Sequence, residues 1–254
     1  RCSLGKPNDY YNEDLLYKIF GINAELLIDH AWGWEPCTIA DIKTYKPSTN
    51  SIGSGQVLQS AYTFDKAKLI IREMTDLLVL DLVDKKLVTD QLALMVGYDI
   101  ENLTNPKIKK SYQGAITTDH YGRSVPKSAH GTINLGRQTS STKLIMEAVT
   151  ELFESIVDKG LLIRRVNIAA NHVVDEVTVQ KMDRFEQLDL FTDYVAVQAK
   201  KEEEEAELAR EKKVQKAMLD IKKKYGKNAI LRGMNLEEGA TTVDRNRQIG
   251  GHKA

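Results

Sequence analysis

Gln187-Leu188-Asp189-Leu190-Phe191 is the segment of this sequence best equipped for recognition. Leu190 and Phe191 are adjacent large apolar groups that can fill a hydrophobic pocket, while the Gln187 amide can donate and accept at its rim. The segment lies in a short polar stretch, residues 183–193, between the last strand-like run and a long charged run. A linker of that kind lets a peptide adapt to a partner. The same side chains would equally suit a loop that tucks Leu188, Leu190 and Phe191 onto its own domain.

Catalytic chemistry has no comparable signal. The sequence holds no Walker-type phosphate loop, no HExxH and no paired CxxC. No carboxylate pair sits at a strand–turn position suited to two-metal phosphoryl transfer. His30, His120, His130, His172 and His252 are scattered, and a lone histidine more often packs or hydrogen-bonds than ligates. The chain is expected to catalyse nothing by itself. Cys2 and Cys37 lack metal-ligand spacing and are read as reduced thiols.

Charge is informative only locally. The 36 basic and 36 acidic residues cancel. Between residues 105 and 137, however, Lys107, Lys109, Lys110, Arg123, Lys127 and Arg137 face Asp119 alone, a local charge of +5. Arg164 and Arg165 add two cations on a later strand. Neutralisation of phosphates is the main source of nucleic-acid affinity, so such a surface is a candidate footprint. A solvated loop would show the same composition.

Two strand-like runs are unusually small, Ser51-Ile52-Gly53-Ser54-Gly55 and Ser128-Ala129-His130-Gly131-Thr132. Glycine inside a strand marks a bulge or a close approach by another backbone. Exposed amides and hydroxyls suit phosphate contact without base reading.

The elements that must position these residues are legible in outline. Residues 1–36 read as two short helices around Gly21, and 37–49 as a linker around Pro47. Residues 50–62 read as a strand, 63–87 as an amphipathic helix, 91–100 and 128–138 as strands. A second long helix is capped by Ser140 or Ser141, runs through Lys159 and has Gly160 at its C-cap. Residues 161–176 form a last strand. Part of the polar 101–127 stretch, near 113–120, is expected to form a strand or hairpin. The result is an α+β fold, a four-stranded mostly antiparallel sheet with two long helices on one face and the other face polar and open. Residues 200–224 read as a solvated charged helix, and 225–254 show no core pattern. No apolar run approaches the roughly 20 residues of a membrane span, and the default location is cytoplasmic.

Taken together, LLYKIFGINAELLIDHAWGWE, KPSTNSIGSGQVL, SAHGTINLGRQTSSTKLIMEAV, LLIRRVNIAANHVV and the tail from Ala217 resemble the C-terminal half of a Y-family translesion DNA polymerase. The resemblance is to the ImpB/MucB/SamB, UmuC-like proteins by which Gram-positive bacteria tolerate UV damage. It implies a helical thumb remnant at 1–36, a linker at 37–49 and a little-finger DNA-binding domain at 50–180. Beyond these it implies a clamp-binding region at 181–199 and a charged helix and basic tail at 200–254. It implies double-stranded primer-template DNA, bound without regard to sequence, and the bacterial sliding clamp as partners. DNA contacts are then expected from Ser51, Gly53, Ser54, Gly55, Lys107, Lys109, Lys110, Arg123, Lys127, His130, Thr132, Asn134, Arg137, Arg164 and Arg165. Clamp contacts are expected from Gln187, Leu188, Asp189, Leu190 and Phe191.

The family's palm has no counterpart, and Arg1 falls inside what would be the thumb. The chain is therefore expected to be a fragment without the active site. No cofactor is expected in it, and Mg2+ belongs to the missing palm of the parent DNA polymerase. A competing reading from another class is a non-enzymatic adaptor that recruits partners through the helix at 200–224. Arg245, Arg247, His252 and Lys253 of the tail would contact DNA or a regulatory partner, or belong to a disordered or edge-packed segment.

Overall fold

The computed structural model describes residues 13–45, 50–119, 122–180, 194–249 and 252–253. The chain divides into two units, residues 1–48 and 49–254.

In the first unit, α1 (Glu13–Phe20) and α2 (Asn23–Ala31) are joined at Gly21, whose φ of 57° requires a residue without a Cβ penalty. Leu16 and Ala24 are its buried apolar residues. The expected linker contains a further helix, α3 (Ile39–Thr44). A reciprocal cap starts it. The Asp41 amide donates to Thr38 Oγ1 (3.2 Å) and the Thr38 amide to Asp41 Oδ2 (2.9 Å). The sequence hides this box because no apolar run comes after it.

The second unit holds the core. Its main elements are β1 (Ile52–Tyr62), α4 (Phe64–Asp84), β2 (Leu87–Tyr98), β5 (Ala129–Thr139), α7 (Thr142–Ile156) and β6 (Ile163–Asn171). Between β2 and β5 lie α5 (Glu101–Thr104), α6 (Pro106–Ser111) and a hairpin of β3 (Ile116–Thr118) with β4 (Ser124–Pro126). The hairpin falls in the expected stretch, with the Asp119 amide donating to Arg123 O at 2.9 Å beyond its paired residues, and the two short helices are new.

The sheet order is β1-β6-β2-β5, every neighbouring pair antiparallel. A short fifth strand, β7 (Val174–Asp175), pairs with β2. The last strand therefore ends earlier than expected. His172, in a left-handed conformation (φ 50°), turns the chain.

Both long helices pack on one face, because their apolar stripes recur every three to four residues. Ile70, Ile71, Met74, Leu78 and Leu82 of α4 meet Ile145, Val149, Leu152 and Phe153 of α7 over Leu92, Leu94, Val96, Val166 and Ile168. Ser141 caps α7, accepting from the Leu144 amide at 3.3 Å. The helix ends at Val157 in extended backbone rather than at Gly160. Gly131 faces inward, where a Cβ would sit 3.0 Å from Leu152 Cδ1, so its smallness sets how closely α7 approaches β5.

The C-terminal segment corrects the sequence reading most. After β7 come α8 (Glu176–Gln180) and the long α9 (Tyr194–Tyr225). One side of α9 is docked. Gln215 and Met218 are buried, and the Gln215 amide donates to Ser140 O and Thr142 Oγ1, both at 2.9 Å. Glu211 accepts from Ser141 Oγ (2.6 Å) and the Lys143 amide (3.1 Å), placing a carboxylate at the positive end of α7.

Beyond α9 the chain forms a short 3-10 turn (Gly233–Leu236) and α10 (Thr242–Arg245), and β8 (Gln248–Ile249) pairs with β9 (His252–Lys253). Residues 223–245 run back along α4. Lys223 pairs with Asp84, Arg232 with Asp76, Asn235 and Thr241 with Glu73, and Glu238 with Lys66. Arg232 Nε lies 2.6 Å from Asp76 Oδ1 as an ion pair outside hydrogen-bond angles. Burial of Asp76 raises its pKa against the pull of Arg232. Arg245 donates to Gln56 Oε1 at 3.0 Å and is half-buried. The tail is thus part of the domain, and Arg245 is committed to it.

Candidate nucleic-acid interface

Strand alternation sends Leu92, Leu94, Val96, Val166, Ile168 and Ala170 to the helices and the residues between them to the opposite face. The described residues leave that face without a helix. Register arranges it as four cross-sheet rows. Val57, Arg165 and Gly97 form one end. Next come Gly55, Asn167, Met95 and His130, then Gly53, Ala169, Ala93 and Thr132. Asn171, Gln91 and Asn134 close the other end.

The middle rows make a shallow trough because their side chains are small. At Gly55 a Cβ would meet Asn167 Oδ1, so any larger residue would displace that side chain. At Gly53 a Cβ would lie 3.3 Å from Ile168 O. No charged side chain lines this trough.

The basic end is built by a bulge. Gly97 pairs with Arg165 and Tyr98 with Ile163, so Arg164 is the extra residue. Gly97 makes room for its neighbour, since a Cβ there would press to 3.3 Å on Arg165 Cβ. Arg165 is exposed and makes no ion pair among the described residues. Arg164 donates to Gln59 O (3.0 Å) and lies 3.7 Å from Asp99 Oδ2. Together with the β3–β4 hairpin these residues border a cleft of about 730 Å3.

The expected DNA contacts therefore separate. Gly53, Gly55, His130, Thr132, Asn134 and Arg165 share the open face. Ser51 is exposed just before β1. Ser54, paired with buried Ile168, points to the helix side. Arg137 also leaves the face and pairs with Glu204 of α9 at 3.3 Å. Gly136 in a left-handed conformation (φ 71°) breaks the alternation just before it. Arg123 is held by Asp119 in the hairpin (2.7 Å). Lys109 and Lys110 are exposed on α6, the backbone of Lys107 lies on the same helix, and Lys127 is exposed after β4.

Gln91, Ala93, Met95, Asn167, Ala169 and Asn171 also belong to the face, beyond the contacts expected from sequence. Strict alternation with the apolar residues of β2 and β6 is the signal that marks them. Gln187, Leu188, Asp189, Leu190 and Phe191 lie outside the described residues. Among the described residues no three His, Cys, Asp or Glu side chains cluster to hold a metal ion, and no helix is long and apolar enough to cross a membrane.

An antiparallel sheet carrying two helices on one face, with a small-residue trough and an arginine on the other, defines an α+β domain of the little-finger kind. Residues 49–190 match the impB/mucB/samB family C-terminal domain, and the chain belongs to that family. No curated protein matches the sequence.

Among solved structures, one similar to this chain is a "Complex of beta-clamp processivity factor and little finger domain of PolIV". The likeness has a TM-score of 0.32 and 9% identity over 56% of this chain and 100% of that one. Another is a "Post-insertion binary complex of Dbh DNA polymerase", at 0.31 and 14% over 67% of this chain. The chain spans 41% of that polymerase.

Proposed function

We propose that this chain is the DNA- and clamp-holding region of an error-prone translesion polymerase. The open sheet face lies along duplex primer-template DNA and grips its phosphates without reading base edges. The observation that carries this reading is the face itself, a trough of Gly53, Gly55, Ala93 and Ala169 with exposed Arg165 at one end. Small residues let backbone approach backbone, and none of them is long enough to probe a groove. Lys109, Lys110 and Lys127, exposed in the segment between β2 and β5, add positive charge to the domain.

The peptide Gln187–Phe191 attaches the region to the sliding clamp, supported by its two adjacent apolar anchors. Nucleotide addition and its Mg2+ belong to a palm domain. The adaptor reading loses ground because α9 gives one side to its own domain through Gln215 and Met218.

Fluorescence anisotropy with a labelled duplex, repeated at several salt concentrations, tests this. Binding is expected to weaken steeply with salt and to be alike for unrelated sequences. Arg165→Ala is expected to weaken binding several-fold and to lower the log–log salt slope by about 1, as for one lost phosphate contact. An Arg165→Ala chain with unchanged affinity and slope would remove Arg165, and with it the basic end of the face, from the account.

A further inference from the structure

The charged residues of α9 divide by side. Towards the domain, Glu204 pairs with Arg137, Glu207 with Lys143, Lys212 with Glu176 and Lys223 with Asp84. On the outer side Glu202, Glu205, Lys213 and Lys216 are exposed, and none of them makes an ion pair among the described residues. Glu202 accepts from Gln198 of its own helix at 3.1 Å.

These four charges are arranged symmetrically about Ala209, which is also exposed. Glu205 and Lys213 each stand four residues from it, and Glu202 and Lys216 each stand seven. Steps of three and four keep all five residues on one stripe of the helix. The acids precede the centre and the bases follow it.

Nothing within α9 accounts for that order. The helix dipole favours acids in the first turn and bases in the last. Glu202 and Lys216 lie further inside, each eight or nine residues from the nearer end of Tyr194–Tyr225. Along the stripe, like charges are neighbours at a spacing of three, Glu202 beside Glu205 and Lys213 beside Lys216, and such pairs repel. Asp220 follows Lys216 by one turn and forms no ion pair with it.

We infer that the outer stripe of α9 is a self-association surface, on which α9 of a second copy lies antiparallel with Ala209 against Ala209. That two-fold arrangement sets Glu205 opposite Lys213 of the second copy and Glu202 opposite its Lys216, and symmetry repeats both pairings. At 1.5 Å per residue the members of each pair stand level, about 6 Å and about 10 Å from the centre. A parallel copy would set like charges together, so the pattern selects one orientation. Ala206 and Ala209 are small enough to let the helix axes approach to about 8 Å, the close end of the usual range. The docked side of α9, with Gln215 and Met218, is untouched. The association is a weak one, because each exposed ion pair contributes only about 1.4-fold to fivefold in affinity.

Sedimentation equilibrium of the full chain over a range of concentrations tests this, with circular dichroism as the control for folding. The weight-average mass is expected to rise with concentration at about 50 mM salt. It is expected to return to the monomer near 1 M, where the screening length falls to about 3 Å. Lys213→Glu combined with Lys216→Glu makes the stripe wholly acidic, and Glu202→Lys combined with Glu205→Lys makes it wholly basic. Each double variant alone is expected to lose self-association on the order of 10-fold or more. Mixed in equal amounts, the two are expected to associate at least as strongly as the parent.

A parent chain that stays monomeric at every concentration in low salt overturns the inference. Double variants that self-associate as the parent does overturn it as well, by placing the contact elsewhere. So do double variants that are monomeric alone and remain so when mixed, since opposite stripes would then not recognise each other.

Discussion

Glu73→Ala is expected to release the C-terminal segment from the domain. Glu73 lies on α4 at 1% exposure, beneath the tail. Its Oε1 accepts from Asn235 Nδ2 at 2.8 Å and from the Thr242 amide at 3.3 Å, and its Oε2 accepts from the Thr241 amide at 2.7 Å. Removing the carboxylate strands three donors in a site that water does not reach. Each unsatisfied donor costs about 1–3 kcal/mol, so the three together cost roughly 3–9 kcal/mol, concentrated in the attachment of residues 227–246.

Limited proteolysis followed by mass spectrometry is the direct reading. The variant is expected to be cut within 227–246 while the core of β1, β2, β5, β6, α4 and α7 resists. Glu73→Gln keeps the volume but turns one acceptor into a donor facing other donors, and is expected to fall between the two. A tail equally resistant in Glu73→Ala would show that the buried carboxylate does not hold it.

The second large effect concerns the peptide. Replacing Gln187, Leu190 and Phe191 together by Ala is expected to weaken calorimetric binding to a bacterial sliding clamp on the order of 100-fold or more. Two large apolar anchors and one rim amide are the kind of residues that dominate small interfaces, each worth about 2 kcal/mol or more when truncated. Phe191→Ala alone is expected to account for much of the loss. The duplex affinity of the same variant is expected to stay unchanged, because these residues lie beyond the sheet in sequence. Undiminished clamp binding would leave Gln187–Phe191 as a loop packed on its own domain. The DNA reading would survive that result.

The helices α4 and α7 are legible in the sequence because Leu69, Ile70, Met74, Leu78 and Ile145, Val149, Phe153 repeat at helical spacing. The strands are legible as apolar runs bounded by turn residues. The open face is only half legible. Gly53, Gly55 and Thr132 stand out by composition, whereas Asn167 and Asn171 emerge only when the period-two pattern of β6 is carried through its bulge.

Arg137 departs from its expected place because alternation does not survive Gly136, whose left-handed backbone changes the facing of the residues after it. Ser54 departs because its parity, not the smallness it shares with its glycine neighbours, decides its side of the sheet. The tail is the least legible part. Glu73, Asp76 and Lys66 form the polar stripe of an amphipathic helix, and such a stripe reads as solvated. It is instead covered by a polar partner, Arg232 to Thr242, and a polar–polar interface leaves no hydrophobic pattern in either strip of sequence. Pairings 162 and 168 residues apart, as between Glu73 and Asn235 or Thr241, have no local signature.

The central claim is that the open sheet face holds duplex DNA. Hydrogen–deuterium exchange of the full chain with and without a primer-template duplex tests it most directly. The account predicts slowed exchange in the peptides that span β1, β5 and β6, with α4, α7 and the docked tail unchanged. Slowed exchange confined to α9 or the tail, with the three strands unaffected, would place the DNA on the other side of the domain and contradict it.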